Sequence, residues 1–239
     1  MKHLISRLVA GALILASHGA FAQTRPVGPF HKVIISPFIQ VSFVQGSRES
    51  VTIDHMQADS GKLHVEVQGG TLRLYLDGAK EIPRDQQYPP LYPNHAVVAT
   101  VTYRRLDALS LRGEETCLFQ SPLSTDKFTL HVYGESTVIF TEVHISKMHT
   151  TIYGESSLDI RSGEVDRQYY TCYGESKINT TAIAGQAANV TAFGEAEFRV
   201  NVSDRIKITA IGEARLRYMG NPTIVKGIHI GEVDLQKLD

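Results

Sequence analysis

The sequence has no excess of charge of either sign and no apolar run long enough to span a membrane. Its 239 residues include 24 Lys and Arg against 25 Asp and Glu, so it lacks the basic surface of a dedicated nucleic-acid-binding protein. The apolar run near the N-terminus extends only from Leu8 to Ala16, whereas a transmembrane helix needs ~20 apolar residues. Because 42% of the residues are hydrophobic, the composition indicates a folded chain and excludes extensive disorder.

Sequence motifs of the common enzyme classes are also missing. The chain contains no Gly-x-Ser-x-Gly, no His-Glu-x-x-His, no Gly-x-x-x-x-Gly-Lys-Ser/Thr and no Cys-x-x-Cys. Its histidines share no spacing that would predict a metal site. These absences predict a protein without catalytic residues, without a resident metal centre and without an organic cofactor.

The first 22 residues have the features of a secretory signal peptide. Lys2 and Arg7 precede the apolar run, and Ala20-Phe21-Ala22 forms a small-x-small cleavage site. We therefore expect residues 1–22 to be removed on export, leaving a soluble protein in the periplasm, at the cell surface or outside the cell. No cysteine follows the cleavage site, so a lipid anchor at the mature N-terminus is not expected.

The dipeptide Gly-Glu recurs at a nearly constant interval through the second half of the chain. Successive copies are 18 to 21 residues apart, and such a period is typical of solenoid proteins. The repeat glycines are Gly113, Gly134, Gly154, Gly174, Gly194, Gly212 and Gly231. We expect each glycine to turn the chain at a corner, where a positive φ is inexpensive only without a Cβ atom.

Apolar and polar residues alternate within each repeat, which is the pattern of β-strands. Val132 and Ile152, for example, both lie two residues before their repeat glycine. Because a unit of this length holds short strands but no helix, the sequence predicts an all-β fold, a single-stranded parallel β-helix of about 20 residues per coil. We expect one elongated domain over 23–239, with a β-rich leading section and loop at 24–96 and regular coils at 97–239.

The chain has only two cysteines, Cys117 and Cys172, which the repeat places three coils apart and in different columns. Coils of a β-helix stack at about 4.8 Å, so the two residues are expected about 14 Å apart. A disulfide needs Cα atoms within about 7 Å of each other. The sequence therefore predicts two free, buried thiols rather than a disulfide.

A column of glutamates follows the repeat glycines along one edge of the predicted solenoid. We call Glu114, Glu135, Glu155, Glu175, Glu195, Glu213 and Glu232 the Glu column. Neighbouring carboxylates about 4.8 Å apart repel by about 0.9 kcal/mol even in water. The side chains are therefore expected to extend into solvent, to accept backbone N–H groups at the corner, to raise one another's pKa, or to bind Ca²⁺ or a basic partner.

An aromatic column precedes the same glycines and consists of Tyr133, Tyr153, Tyr173 and Phe193, which give way to Ile211 and Ile230. If the alternation holds up to the corner, these rings face outward and stack coil upon coil. Such a column, together with Glu135, Glu155, Glu175 and Glu195, is a candidate binding surface for sugar rings or a partner protein. The alternative is that the rings pack on one another and only cover the corner.

Two further features have no assigned chemistry. A basic column, Lys127, Lys147, Arg167 and Arg205, lies at the far end of the same strands and is either a solvated edge or an anion-binding strip. The connection at 78–95 contains four prolines with Tyr88 and Tyr92 among them. Long loops of this kind are often functional, although a solvated excursion between two strands is the alternative.

The order of these motifs resembles an exported family named putative auto-transporter adhesin, head GIN domain. The resemblance lies in the opening Phe30-x-x-Val33-Ile34-Ile35 with Ile39-Gln40-Val41 and Gln45-Gly46, in Gly70-Thr71-Leu72-Arg73-Leu74, and in the ending Ile208-x-x-Ile211-Gly212-x-x-x-Leu216-x-Tyr218-x-Gly220-Asn221-Pro222-x-Ile224. It implies a parallel β-helix and supplies no catalytic residues. The chain departs from the family pattern in the Glu that follows each repeat glycine.

Taken together, the sequence predicts an exported, adhesin-like binding module that presents the aromatic and Glu columns to a polymeric ligand or a protein. A polysaccharide or an envelope protein is the expected partner, with no nucleic acid and no membrane span. The alternative is a carbohydrate-active enzyme, a polysaccharide lyase or hydrolase with its site near the Pro-rich loop, because parallel β-helices host such enzymes. A purely structural envelope protein is a third hypothesis.

Overall fold

The computed structural model describes residues 23–80 and 91–239, and this part of the chain forms β-strands and one 3-10 turn, Ser60–Lys62. The strands are β1 (Gln23–Pro26), β2 (Lys32–Ile35), β3 (Ile39–Gln45), β4 (Ser50–Met56), β5 (Leu63–Gln68), β6 (Thr71–Leu76), β7 (Val97–Tyr103), β8 (Ala108–Gly113), β9 (Thr116–Phe119), β10 (Leu123–Gly134), β11 (Thr137–Phe140), β12 (Val143–Gly154), β13 (Ser157–Ile160), β14 (Gly163–Thr180), β15 (Ala187–Asn201), β16 (Arg205–Met219) and β17 (Thr223–Lys237). The predicted signal peptide and most of the Pro-rich connection, residues 81–90, lie outside the described residues.

The second half of the chain is a parallel β-solenoid, as the sequence predicts. Strands β8 to β17 pair in parallel with the equivalent strands of neighbouring coils, and the repeat glycines lie beside one another in register. Alternate residues point into the solenoid; the inward column that contains Val132 and Ile152 is buried from Leu111 to Ala210. Burial of alternate residues along the coils up to β16 supplies the hydrophobic free energy that holds the stack together.

Aromatic side chains continue the core between coils. Phe119 stacks on Phe43 with ring centroids 4.7 Å apart and on Phe140 with centroids 4.2 Å apart. These three rings belong to β3, β9 and β11, so β3 lies directly beside the first regular coil. The core of the N-terminal section is therefore continuous with the core of the regular coils.

The coils do not stack in the order of the sequence at the N-terminal end. β2 pairs in parallel with both β6 and β8, and β3 pairs in parallel with both β7 and β9. The coil made by β2 and β3 is therefore inserted between the coil of β6 and β7 and the coil of β8 and β9. β7, which the sequence places at the start of the regular coils, completes the coil that β6 begins.

The two ends of the solenoid are built differently. Antiparallel strands cover the first end: β5 pairs with β6, β4 pairs with β7, and β1 pairs with β4. At the other end β17 pairs with β16 and with no other described strand. Its pairing is interrupted by a bulge between Ile208 and Ala210, and Lys226 occupies a position opposite the inward residue Ile208. Bulges and charged residues in an edge strand discourage further strand pairing.

The two cysteines are free and buried, as the sequence predicts. Cys117 lies in β9 and Cys172 lies in β14, both at inward positions of the solenoid. Burial raises the pKa of the Cys172 thiol to about 12 and that of Cys117 further. Both side chains are therefore protonated and act as small apolar core residues.

Candidate functional site

The repeat glycines form the corners that position the outward columns. Each has a positive φ, between 107° and 146°, a region that residues with a Cβ atom rarely adopt. Space is restricted as well: a Cβ atom on Gly154 would overlap with the carbonyl oxygen of Gly134 in the preceding coil. Only glycine allows both the turn and the close approach of successive coils, and the turn places the aromatic residue before it and the glutamate after it on the outside.

A buried serine column, which the sequence analysis missed, stabilises these corners. Ser156 donates a hydrogen bond to the Gly134 carbonyl at 2.9 Å, and its Oγ accepts one from the Ser136 N–H at 3.0 Å. The Glu155 N–H donates to the same carbonyl at 3.0 Å. This column could have been predicted from the repeated Tyr-Gly-Glu-Ser unit. Serine hydroxyls and backbone N–H groups donate hydrogen bonds to the carbonyl groups of the corner. The side chains of the Glu column are therefore not needed as hydrogen-bond partners there.

All seven side chains of the Glu column are exposed to solvent. In the later coils they lie in register, with Glu175 paired to Glu195 and Glu195 to Glu213. These three residues and Glu155 line a shallow groove of about 460 Å³ together with Lys177 and Arg215. Among the described residues no three His, Cys, Asp or Glu side chains are arranged to hold a metal ion. Calcium binding along this column stays a prediction.

The structure places the aromatic column in one continuous stack on the outside of the solenoid. Ring centroids are 5.1 Å apart for Tyr133 and Tyr153, 4.6 Å for Tyr153 and Tyr173, and 4.8 Å for Tyr173 and Phe193, with interplanar angles of 2° to 5°. Tyr153 and Tyr173 are 40% and 38% exposed. Because each ring covers the face of the next, the column presents ring edges and phenol hydroxyls to solvent rather than ring faces.

The exposed apolar surface of the described residues is concentrated along this column. Six large hydrophobic side chains are exposed: Leu91, Tyr153, Tyr173, Ile211, Ile228 and Ile230. Four of them lie in the aromatic column or its continuation, because Ile211 pairs with Phe193 and Ile230 pairs with Ile211. Contiguous exposed apolar surface of this kind marks an interaction site more often than singly scattered residues do.

A column of one histidine and four threonines runs beside the aromatic column and was also missed from the sequence. We call His131, Thr151, Thr171, Thr191 and Thr209 the Thr column; its members lie in register. All are half-buried and precede the aromatic column by two residues, so they lie on the same face of the sheet. The threonine two residues before Tyr153, Tyr173 and Phe193 was a visible signal in the sequence. Within the described part of the chain, the His131 Nδ1 atom has no hydrogen-bond partner, and burial lowers the pKa of this histidine.

A family model described as putative auto-transporter adhesin, head GIN domain, matches residues 29–222. The chain belongs to this family. The family is described as one of putative adhesins, and two of the solved structures that resemble this one carry the same description. No curated protein shows detectable similarity to the chain.

Solved structures share the fold of this head GIN protein at low sequence identity. A putative adhesin from Bacteroides fragilis superposes with a TM-score of 0.77 at 16% identity, over 91% of this chain and 96% of the other. A putative adhesin from Parabacteroides merdae gives 0.65 at 14% identity, over 91% and 95%. A putative lipid binding protein from Parabacteroides distasonis gives 0.67 at 17% identity, over 91% and 97%. At these identities the likeness concerns the fold alone.

The basic column of this head GIN protein lies well away from its aromatic column. Lys127, Lys147 and Arg167 are exposed and in register. Six residues separate Lys127 from Tyr133, which corresponds to about 20 Å along a strand. The two columns therefore lie on the same sheet but cannot contact each other directly.

A second polar groove, of about 450 Å³, lies near the basic column and is lined by Arg105, Asp126, His144, Glu164 and Asp166 among others. The His144 ring lies 2.9 Å from the Glu142 carboxylate and 3.6 Å from that of Glu164. The hydrogen bond that His144 donates to the Glu142 carboxylate raises the pKa of this histidine. The groove is open, and its charged side chains are exposed to solvent.

Among the described residues, no helix is both long and apolar enough to cross a bilayer.

Proposed function

We propose that this protein is a non-enzymatic binding module of the cell envelope or cell surface, and that the aromatic column and the adjacent Glu column form its binding surface. The observation that supports it is the concentration of exposed apolar side chains in one stacked column. Membership of a family of adhesin-like surface proteins supports the same function. The assignment of the binding surface to the aromatic column and the Glu column rests on the geometry of these columns.

The solenoid gives this surface two properties that favour binding. The rings are held in place by parallel strand pairing and by contact with one another, so little side-chain freedom is lost when a ligand binds. The same group also recurs in each coil, so one ligand molecule contacts several equivalent positions. Once the first contact has formed, the remaining groups of the same ligand molecule are held close to the other coils. Their high effective concentration there raises the overall affinity.

The experiment that tests the proposal removes the two most exposed rings. Wild type and Tyr153→Ala/Tyr173→Ala are compared by affinity electrophoresis in gels that contain neutral, anionic or cationic polysaccharides. Wild type is expected to be retarded by at least one polymer, and the variant to lose most of that retardation. Unchanged circular dichroism shows that the variant is folded.

His149→Ala/Tyr169→Ala is the matched control, because these two residues form a similar outward stack with centroids 4.4 Å apart elsewhere on the same sheet. The control is expected to bind like wild type. Equal loss of binding in both variants, or full binding by the Tyr153→Ala/Tyr173→Ala protein, would remove the aromatic column from the binding surface.

The polar groove around His144 offers the enzyme alternative a location. Hydrolysis or lyase chemistry needs a positioned acid and base, and such groups are usually desolvated so that their pKa values approach the working pH. The Asp126, Glu164 and Asp166 carboxylates in this groove are instead open to solvent. A screen for new reducing ends or unsaturated products after incubation with polysaccharides tests this alternative directly.

A further inference from the structure

The stacked geometry of the aromatic column restricts how a ligand can contact it. Carbohydrate-binding aromatic side chains usually offer a ring face to a sugar. Here the ring faces of Tyr153 are occupied by Tyr133 on one side and Tyr173 on the other. A ligand that lies over the column therefore meets ring edges and a row of phenol hydroxyls. It must make hydrogen bonds along its length rather than stack between rings.

The repetition of the surface indicates a ligand that is itself repetitive. Each coil from β10 to β14 presents a tyrosine hydroxyl and a His or Thr side chain two residues away on the same face. A folded protein seldom has one chemical group repeated at an interval of one coil. A polysaccharide does, because each residue of an extended chain advances by a length close to the ~4.8 Å spacing of the coils. The chain would run along the solenoid axis.

The charge beside the column selects among polysaccharides. The Glu column lies two residues beyond the rings, just across the glycine corner, and all seven of its side chains are exposed. Lys177 and Arg215 are basic residues in the adjoining groove, but Glu197 lies between them in register. Arg215 lies 3.6 Å from the Glu213 carboxylate, and Arg199 lies 2.7 Å from that of Glu197. The net negative charge of the surface therefore comes mainly from Glu155, Glu175 and Glu195. It repels polymers that carry carboxylate or sulfate groups and attracts ammonium groups.

We propose that the ligand of this surface is an amine-bearing polysaccharide that lies along the solenoid axis. Its hydroxyl groups contact the Tyr and Thr hydroxyls, and its ammonium groups contact the Glu column. This inference rests on the proposed function, since it assigns a chemical class to the ligand of the same surface. It adds two requirements, a positive charge on the polymer and a role for the Thr column.

The test uses chitosan as the cationic probe, at a pH where its amines are protonated, with hydroxyethyl cellulose and alginate as neutral and anionic probes. Wild type is compared with Glu155→Gln/Glu175→Gln/Glu195→Gln. We expect wild type to bind chitosan most tightly and alginate not at all. Removing three exposed charge contacts is expected to weaken chitosan binding about tenfold and to reduce its dependence on salt concentration.

The matched control is Asp126→Asn/Glu164→Gln/Asp166→Asn, which removes three exposed carboxylates near the basic column. This control changes the net charge by the same amount, and it is expected to bind chitosan as wild type does. Equal weakening in both triple variants would mean non-specific attraction between polyelectrolytes and would overturn the proposal. A third variant, Thr151→Val/Thr171→Val, keeps the β-branched shape and is expected to weaken binding through loss of two hydroxyl groups.

The outcomes separate this inference from the proposed function. Binding of alginate that is lost on Tyr153→Ala/Tyr173→Ala would overturn the charge assignment and leave the binding function standing. Chitosan binding that is unchanged by the Glu substitutions but lost on the Tyr substitutions would also overturn the charge assignment and leave the binding function standing. Failure of all three polymers to bind would count against both.

Discussion

The Glu115 carboxylate accepts a hydrogen bond from the Phe38 backbone N–H at 2.7 Å, although 77 residues separate the two in the chain. Glu115 stands in the column position that serine occupies in the following coils, and it also accepts the Glu114 N–H at 3.0 Å. Phe38 has a φ of 70°, which is uncommon for a residue with a side chain. This buried carboxylate therefore joins the inserted coil of β2 and β3 to the first regular coil.

Replacing Glu115 by alanine is expected to destabilise the protein by about 2 to 4 kcal/mol, because two backbone N–H groups lose their acceptor at a buried site. Urea denaturation followed by circular dichroism measures the effect. Glu114→Ala, at the exposed neighbouring position, is the control and is expected to change stability by less than about 0.5 kcal/mol. Similar stability of the two variants would mean that the Glu115 hydrogen bonds do not hold the inserted coil.

The same residue predicts a pH dependence. Burial raises the pKa of the Glu115 carboxyl above the ordinary value of 4.5, although the backbone hydrogen bonds oppose the shift. A raised pKa means that the protonated form is the one favoured by folding, so this contribution is complete below pH 4.5 and is lost as the pH rises through the folded-state pKa. The free energy of unfolding of wild type, relative to that of Glu115→Gln, should therefore decrease as the pH rises over that interval. A difference that is constant with pH would contradict the prediction.

Alanine at Gly154 is expected to destabilise the solenoid by at least about 3 kcal/mol, through its φ of 114° and the overlap with the Gly134 carbonyl oxygen. Gly61→Ala is the matched control, because the nearest atom to its added Cβ is 3.7 Å away and its φ is not in the left-handed region. That variant should remain within about 1 kcal/mol of wild type. Thermal or urea unfolding of the two proteins distinguishes a constrained corner from a tolerant one.

The serine column predicts a graded series. Ser156→Ala removes a 2.9 Å donor to Gly134 and the acceptor of the Ser136 N–H, so it should cost about 1 to 3 kcal/mol. Ser176→Ala should cost less, because its bond to Gly154 is 3.4 Å long. Later coils already carry alanine at this position, as at Ala196. Equal losses from both substitutions would show that the hydrogen bonds do not determine the difference.

Much of the candidate site could be predicted from the repeat. Outward alternation before each glycine predicts that Tyr153 and Tyr173 lie on the surface, and the polar character of glutamate predicts an exposed column after it. The Ser and Thr columns were visible in the same repeat, but their importance depends on which side of the strand they face. The covered ring faces depend on side-chain rotamers and on the spacing of the coils, which no pattern of residue types specifies.

The sequence by itself determined the class of fold, because a period of about 20 residues with period-two alternation buries one face of every strand only when equivalent residues stack. It also determined the chemical identity of each outward column. Only the tertiary structure decided that β2 and β3 are inserted between two later coils and that one end is covered by antiparallel strands. The order of coils is set by which sheet edges and core side chains meet over long sequence separations, as Glu115 and Phe38 do, and local patterns contain no information on that choice.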